Sequence, residues 1–280
     1  MIPDEGGRTN RVVQPSPDSA GRLDLARPNA ARMYDYYLGG SANVAVDRAA
    51  ADELIQALPD TVFSARANRS FMGRVVRFLA QQGIDQFLDL GSGIPTVGNV
   101  HEIAQAVNPD ARIAYVDIEP VAVSYAHKLL TDEKQVTITK ADIRKPSTVL
   151  AAHGVTDLLD FTRPVAVLAV AILHAMSDAD RPLEFMAEYR AACVPGSYLA
   201  ISHLNAQTWD PREMTHFEQV YARTPTPVTN RSRAEILRFM TGYDLVEPGL
   251  VLLPEWRPTE KSSPEDAARS NSYGAVGRLD

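Results

Sequence analysis

The chain has 280 residues, 45% hydrophobic and 22% charged, a balance that supports a sizeable core and excludes wholesale disorder. Lys and Arg number 28 against 35 Asp and Glu, a formal charge of −7 that lacks the basic footprint of a nucleic-acid binder. The single cysteine, Cys193, excludes an intramolecular disulfide framework and a Cys-rich zinc module, and no apolar run approaches the ~20 residues of a membrane span.

Residues 1–25 are rich in Pro, Gly, Asp and Arg, without periodicity and without an apolar signal segment. They read as a disordered lead-in. From 26 to 83 the pattern is helical, and the segment is expected to form an N-terminal cap. "PNAARMYDYYLGG" opens near Pro28 and stops at Gly39-Gly40. "VAVDRAAADELIQAL" shows a broad apolar face before Pro59. "TVFSARANRSFMGRVVRFLAQQG" sets Phe71, Val75, Phe78 and Leu79 at helical spacing.

After Gly83 the period changes. Short apolar strands in "QFLDLGSG", "RIAYVDIE", "VTITKAD", "PVAVLAVAIL" and "GSYLAISHL" alternate with helical stretches. This predicts a doubly wound α/β sheet with mostly parallel strands over 84–256. Cys193, at the end of the helix before the fifth strand, reads as a small buried hydrophobe. Residues 204–242 form a helical segment, in which Ser232 and Glu235 have capping-box spacing. "YDLVEPGLVLLPEW" reads as a hairpin turned at Pro248-Gly249, so the last strand is expected to run antiparallel. Residues 257–280 read as a flexible tail.

The chemistry concentrates at the strand ends. In "FLDLGSGIP", Gly91 and Gly93 allow a sharp turn and a close ligand approach, beside a helix N-terminus with free N–H groups. Asp117 ends the second strand, where a carboxylate can accept hydrogen bonds from ribose hydroxyls. Asp142 follows the third. Together they outline a nucleoside pocket. Thr96 stands where a dinucleotide fingerprint needs a third small residue, and Pro95 removes one N–H from the anion site. That disfavours a pyrophosphate, hence a nicotinamide-dependent oxidoreductase. It suits a ligand without phosphate, such as S-adenosylmethionine.

These residues resemble class I S-adenosylmethionine-dependent methyltransferases, and more narrowly an actinobacterial branch long catalogued as a domain of unknown function. The resemblance covers about 26–256 and includes "RPNAARMYDYYLGG", "ARANRSFMGRVVRFLA", "QFLDLGSGIPTVGNVHEIAQ", "YVDIEPVAV" and "NRSRAEILRFM". It implies a Rossmann-like seven-stranded sheet with a reversed last strand. It implies that Asp89, Gly91, Ser92 and Gly93 line the amino-acid part of the cofactor. Asp117 and Ile118 would line the ribose, Asp142 and Ile143 the adenine, and Leu173 to Met176 the methyl and acceptor side.

Tyr34 and Tyr37 share a face of the first helix and are candidates to close over the ligands; Tyr36 lies beside them. In the cluster Arg66, Asn68 and Arg69, a guanidinium is a candidate clamp for the cofactor carboxylate, with Arg69 taken for that role. His174 and His203 follow the fourth and fifth strands and are the candidate bases. His216 reads as structural or lid-lining. No metal site is expected, because no H-x₃-H pair or compact His/Asp cluster appears. The expected activity is methyl transfer to a small molecule in the cytoplasm, without membrane partners and without nucleic acid as the favoured acceptor. The alternative is a non-catalytic cofactor-binding sensor or partner-binding protein.

Overall fold

The computed structural model describes residues 24–95, 98–130, 133–207, 209–226 and 228–280. Most of the expected lead-in, and Thr96, therefore lie outside the described residues.

Three helices open the chain. Asn29 caps α1 (Ala30–Tyr37) by accepting the Arg32 N–H, so Pro28 stands one residue before the cap. Gly39 takes φ +80° just past its end. An ion pair buried on both sides ties α1 to α2 (Ala45–Ala57): Arg32 Nε lies 2.6 Å from Asp47 Oδ2. Asp47 also accepts the backbone N–H groups of Asn29 and Val44, so its charge is fully answered. The third helix, α3 (Thr61–Gln81), has 21 residues.

The alternating region follows as β1 (Gln86–Leu90), α4 (Val100–Gln105), β2 (Arg112–Asp117), α5 (Pro120–Leu129) and β3 (Val136–Lys140). Two short helices, α6 (Pro146–Leu150) and α7 (His153–Thr156), lead to β4 (Ala166–Val170). Then come α8 (Pro182–Ala192), β5 (Tyr198–Leu204), α9 (Pro211–Tyr221) and α10 (Arg233–Leu237), the last opened by the expected Ser232–Glu235 capping box. The chain closes with β6 (Asp244–Leu245), β7 (Val251–Leu252), α11 (Pro264–Arg269) and β8 (Ser272–Arg278).

Seven strands run in the order β3-β2-β1-β4-β5-β8-β6, with β7 also paired to β8. Strands β1 to β5 are mutually parallel, and β8 is antiparallel to β5. The sheet is a Rossmann-like α/β sheet with a reversed strand. Alternation along the strands separates two cores. Phe87, Ile113 and Leu168 face α3, α4 and α5, while Leu88, Val116 and Val167 face α8 and α10.

Three expectations change. Residues 257–280 are not a flexible tail, because they supply α11 and the sheet strand β8. The strand was hidden by its glycines, which disfavour strand structure by propensity. Both are required by close packing: a Cβ on Gly274 would meet Phe71 at 2.6 Å, and one on Gly277 would meet Met240 and Tyr243 at 2.7 Å. The hairpin at 243–253 does not form either. β6 and β7 each pair with β8 rather than with one another. Finally, 26–83 is not one cap. The C-terminal half of α3, from Phe71 to Ala80, lies in the core beneath the sheet, and only α1, α2 and the start of α3 stand over the strand ends.

Candidate functional site

A cavity of about 480 Å³ opens at the C-terminal ends of the parallel strands, where such sheets bind ligands. Twelve of the candidates line it: Tyr37, Arg69, Asp89, Gly91, Ser92, Gly93, Asp117, Ile118, Asp142, Ile143, His174 and His203. Arg66 does not, since it is exposed on another face of α3, and His216 stands outside the walls, 3.6 Å from Glu53.

The polar end is built by β1, β2 and β3. Gly91 (φ +71°) and Gly93 (φ +66°) both need left-handed backbone. A Cβ on Gly91 would lie 2.4 Å from the Ile172 side chain. At Gly93 a Cβ would meet nothing within 4 Å, so this backbone faces open space. Asp117 holds the turn in place. Its Oδ2 accepts the Gly93 N–H at 2.7 Å and its Oδ1 accepts the Glu119 N–H at 2.8 Å. Burial raises its carboxyl above the usual range in spite of these bonds. Each oxygen keeps a second lone pair.

Asp89 is buried, and burial pushes its carboxyl up to about 7, against the pull of the Arg69 charge. Arg69 donates to Asn99 Oδ1 at 3.1 Å, the cap residue of α4. Asp142 is held on both oxygens by Arg144, at 2.9 Å from Nε and 2.9 Å from Nη2, and that guanidinium holds its carboxyl below the usual range. Between these groups Ile118, Ala141, Ile143 and Ile172 form apolar walls, with Ile118 49% exposed.

The opposite end is aromatic. Tyr34 and Tyr37 of α1, Leu54 and Leu58 near the end of α2, and Trp209, Phe217 and Tyr221 on and before α9 line it. Helix α9 lies in the helical segment 204–242 expected to cover the acceptor, but Trp209, Phe217 and Tyr221 were not singled out in the sequence. The i, i+4 pair Phe217 and Tyr221 is the stripe that marks them. Asn271 and Ser272, at the start of β8, close the wall from the segment expected to be a tail.

A hydrogen-bond relay joins the ends. The Ala171 N–H donates to Ser202 Oγ at 2.8 Å, Ser202 to Asn68 Oδ1 at 2.6 Å, Asn68 to the Tyr34 hydroxyl at 2.9 Å, and Tyr34 to the Ala65 carbonyl at 3.1 Å. Ala171 takes φ +56°, a strained turn for a residue with a Cβ, directly after β4.

The two histidines differ. His203 is buried. Its Nδ1–H donates to the Leu204 carbonyl at 2.7 Å, and its Nε2 accepts from Arg231 at 3.3 Å, which assigns the tautomer and uses both nitrogens. Burial holds it down to about 4. In His174, Nδ1 accepts the Leu204 N–H at 3.4 Å, and burial beside His203 and Arg231 pushes it down to about 3. Both are neutral at pH 7. Arg231, also not singled out in the sequence, binds the carbonyls of Leu173 and Met176 and the Asp178 carboxylate, locking the loop that carries His174.

Among the described residues no group of three or more His, Cys, Asp or Glu side chains is disposed to hold a metal ion. Among the same residues no helix is long and apolar enough to cross a membrane.

Comparison with known proteins agrees with this architecture. The family model described as S-adenosyl methyltransferase matches residues 16–280. A protein from Thermobifida fusca, solved as a candidate methyltransferase, is 38% identical over 92% of this chain and 97% of its own, with a TM-score of 0.86. A DUF574 family protein from Streptomyces avermitilis is 37% identical over 92% of this chain and 100% of its own, with a TM-score of 0.87. No curated protein matches the chain. Matched along nearly its whole length, the chain belongs to the S-adenosyl methyltransferase family.

Proposed function

We propose that the chain transfers a methyl group from S-adenosylmethionine to a small-molecule acceptor held at the aromatic end of the cavity. One observation carries the reading: a single cavity of about 480 Å³ joins a charged nucleoside-type end to an uncharged aromatic end. Donor and acceptor share that space, which suits a small acceptor rather than a polymer.

The polar end fits the cofactor. Gly93 offers open space beside left-handed backbone, and a Cβ would intrude there. Five wall carboxylates, Asp89, Asp117, Glu119, Asp142 and Asp180, face two guanidinium groups, Arg69 and Arg144, a surplus that suits a cationic ligand. Asp117 has lone pairs left for ribose hydroxyls, and Ile118, Ala141, Ile143 and Ile172 suit a flat base. Arg69 would hold the carboxylate and Asp89 would face the ammonium group. When bound, the cofactor supplies a methyl group on a cationic sulfur that leaves as a neutral thioether. The protein's share is then alignment and exclusion of water.

Base catalysis is weak here. His203 has no free nitrogen, and His174 is a poor proton acceptor. Of the two candidates, His174 is the one whose Nε2–H can still meet the acceptor. Such a site favours a nucleophile that presents a lone pair without first losing a proton. The same weakness favours one other reading, cofactor binding without turnover. We place the protein in the cytoplasm, in keeping with its single free thiol. Calorimetry with S-adenosylhomocysteine tests the cofactor end, and a folded protein that gives no heat at millimolar ligand would sink the reading. Consumption of the methyl donor over an acceptor panel separates transferase from sensor.

A further inference from the structure

We propose that Arg144 is a specificity-determining positioning residue: it fixes the Asp142 carboxylate with one acceptor position left on Oδ2, and so selects a 6-amino purine over a 6-oxo purine. The proposal rests on the cofactor reading, in which Asp142 faces the adenine.

The two oxygens of Asp142 are not equivalent. Oδ1 accepts twice from Arg144, from the backbone N–H at 3.0 Å and from Nε at 2.9 Å. Oδ2 accepts once, from Nη2 at 2.9 Å. A carboxylate oxygen has two lone pairs, so Oδ1 is filled and Oδ2 keeps one. Asp142 lines the cavity with its side chain 19% exposed, so the carboxylate is not sealed behind its neighbours.

The guanidinium is anchored from a second strand end. Arg144 Nη1 donates to Asp180 Oδ1 at 3.0 Å. Asp180 Oδ2 in turn accepts the Ser177 backbone N–H at 2.9 Å and the Ser177 hydroxyl at 2.7 Å. Asp142 follows β3, whereas Asp180 lies in the loop after β4. Arg144 therefore bridges two loops and cannot swing away from one without releasing the other. The backbone beneath is held as well. The buried Tyr189 hydroxyl of α8 donates to the Ile143 carbonyl at 2.9 Å, and the Lys145 N–H donates to the Asp142 carbonyl at 3.0 Å. A planar fork is what binds both carboxylate oxygens at once; a lysine would bring the same charge to a single point.

The selection follows from this geometry. Arg144 holds the Asp142 carboxyl below the usual range, so it is ionised at working pH and offers acceptors only. A 6-amino group donates to Oδ2. A 6-oxo group sets an acceptor against an acceptor, and a carboxylate clamped on both oxygens cannot turn aside. A site built around one N–H donor rejects the analogue that lacks it. Without the fork, Asp142 is free to turn, and both the bond and the clash weaken.

Calorimetry of the full chain with S-adenosylhomocysteine and S-inosylhomocysteine, which differ at the purine 6-position, reads the selection as a ratio of affinities. General damage to the fold lowers both affinities together and leaves that ratio alone. The unmodified chain should prefer the adenosyl ligand by about tenfold or more. In Arg144→Met the preference should shrink to within about threefold. Arg144→Lys, which keeps the charge and loses the fork, should behave like Arg144→Met. Asp180→Asn, which removes only the outer anchor, should fall between the unmodified chain and Arg144→Met. The Arg144 side chain is 41% exposed, so its replacement leaves no buried hole. The proposal is overturned by equal binding of the two ligands in the unmodified chain, by an undiminished preference in Arg144→Met, or by full preference in Arg144→Lys. S-adenosylhomocysteine bound with a preference that ignores Arg144 overturns this role alone. No heat from either ligand in the folded, unmodified chain overturns the cofactor reading, and this proposal with it.

Discussion

The two ends of the cavity are built on different principles. The polar end uses consecutive strand ends of one sheet, so Asp89, Asp117 and Asp142 reach it because the strands are adjacent and parallel. Its geometry comes from backbone: left-handed glycines and a carboxylate that binds the turn it supports. The aromatic end collects side chains from α1, α2, α9 and the start of β8, segments far apart in the chain. Its geometry comes from helix packing. The first plan keeps one ligand's site fixed. The second lets the other site change by substituting wall residues without disturbing the sheet.

If the ends are separable, damage to the frame of one should spare the other. The largest effect is expected at the buried Arg32–Asp47 pair, which joins α1 to α2. Asp47→Ala leaves a buried guanidinium uncompensated and should lower stability by about 3–5 kcal/mol in urea denaturation. Replacing both partners with apolar residues of similar volume should recover most of that loss. In either folded variant, S-adenosylhomocysteine should bind within a few-fold of its original affinity. Loss of that binding in folded protein would break the comparison.

The histidine pair stands between the ends and titrates. His203 falls from its unfolded value of 6.5 to about 4 in the folded chain. Between those values the unfolded chain binds more protons, so stability is complete above pH 6.5 and is lost as pH falls toward 4. The contribution of His203 alone is up to about 3 kcal/mol. Asp89 has the opposite sign, because its raised carboxyl favours the folded state as pH falls from about 7. Denaturation midpoints from pH 7 to 4.5 should therefore slope less steeply in His203→Gln than in the unmodified chain. An unchanged slope would remove His203 from the account.

At the polar end, Asp117→Ala removes the proposed acceptor of the ribose hydroxyls and the anchor of the Gly93 turn. Affinity for S-adenosylhomocysteine should drop by about 1–3 kcal/mol, roughly fivefold to 150-fold, by calorimetry. Binding of quinoline, an uncharged ring used as a probe of the aromatic end, should stay unchanged. A parallel loss of both would show one coupled site rather than two.

The same contrast explains what the sequence revealed. Strand periodicity, the Gly91–Gly93 turn and the acids at strand ends are local signals, so the polar end was legible residue by residue. The aromatic end was legible as segments, the N-terminal helices and 204–242, but residue by residue only at Tyr34 and Tyr37, because Trp209 and Tyr221 acquire meaning from packing against α1 and α2. Strand β8 was missed for a related reason. Gly274 and Gly277 lower its local strand signal, and the close approach of Phe71, Met240 and Tyr243 that requires them is purely tertiary. The hairpin expected at 243–253 failed with it, since β8 took the pairing that β6 and β7 would have shared.

The smallest effect sharpens the comparison most. The Asp89 carboxyl stands at about 7, so close to half of it carries a proton at neutral pH in the ligand-free chain. A cationic ligand at the polar end favours the carboxylate and lowers that value. Binding of S-adenosylmethionine at pH 7 should then release up to about half a proton. The release should vanish at pH 9, where Asp89 is already ionised. Calorimetry in buffers of different ionisation enthalpy measures it directly, and Asp89→Asn should abolish it while the chain stays folded. Binding quinoline, neutral at pH 8 and held at the uncharged end, should release none. Proton release on quinoline binding would mean that charge at the strand ends feels the aromatic chamber, and that the two ends are electrostatically one.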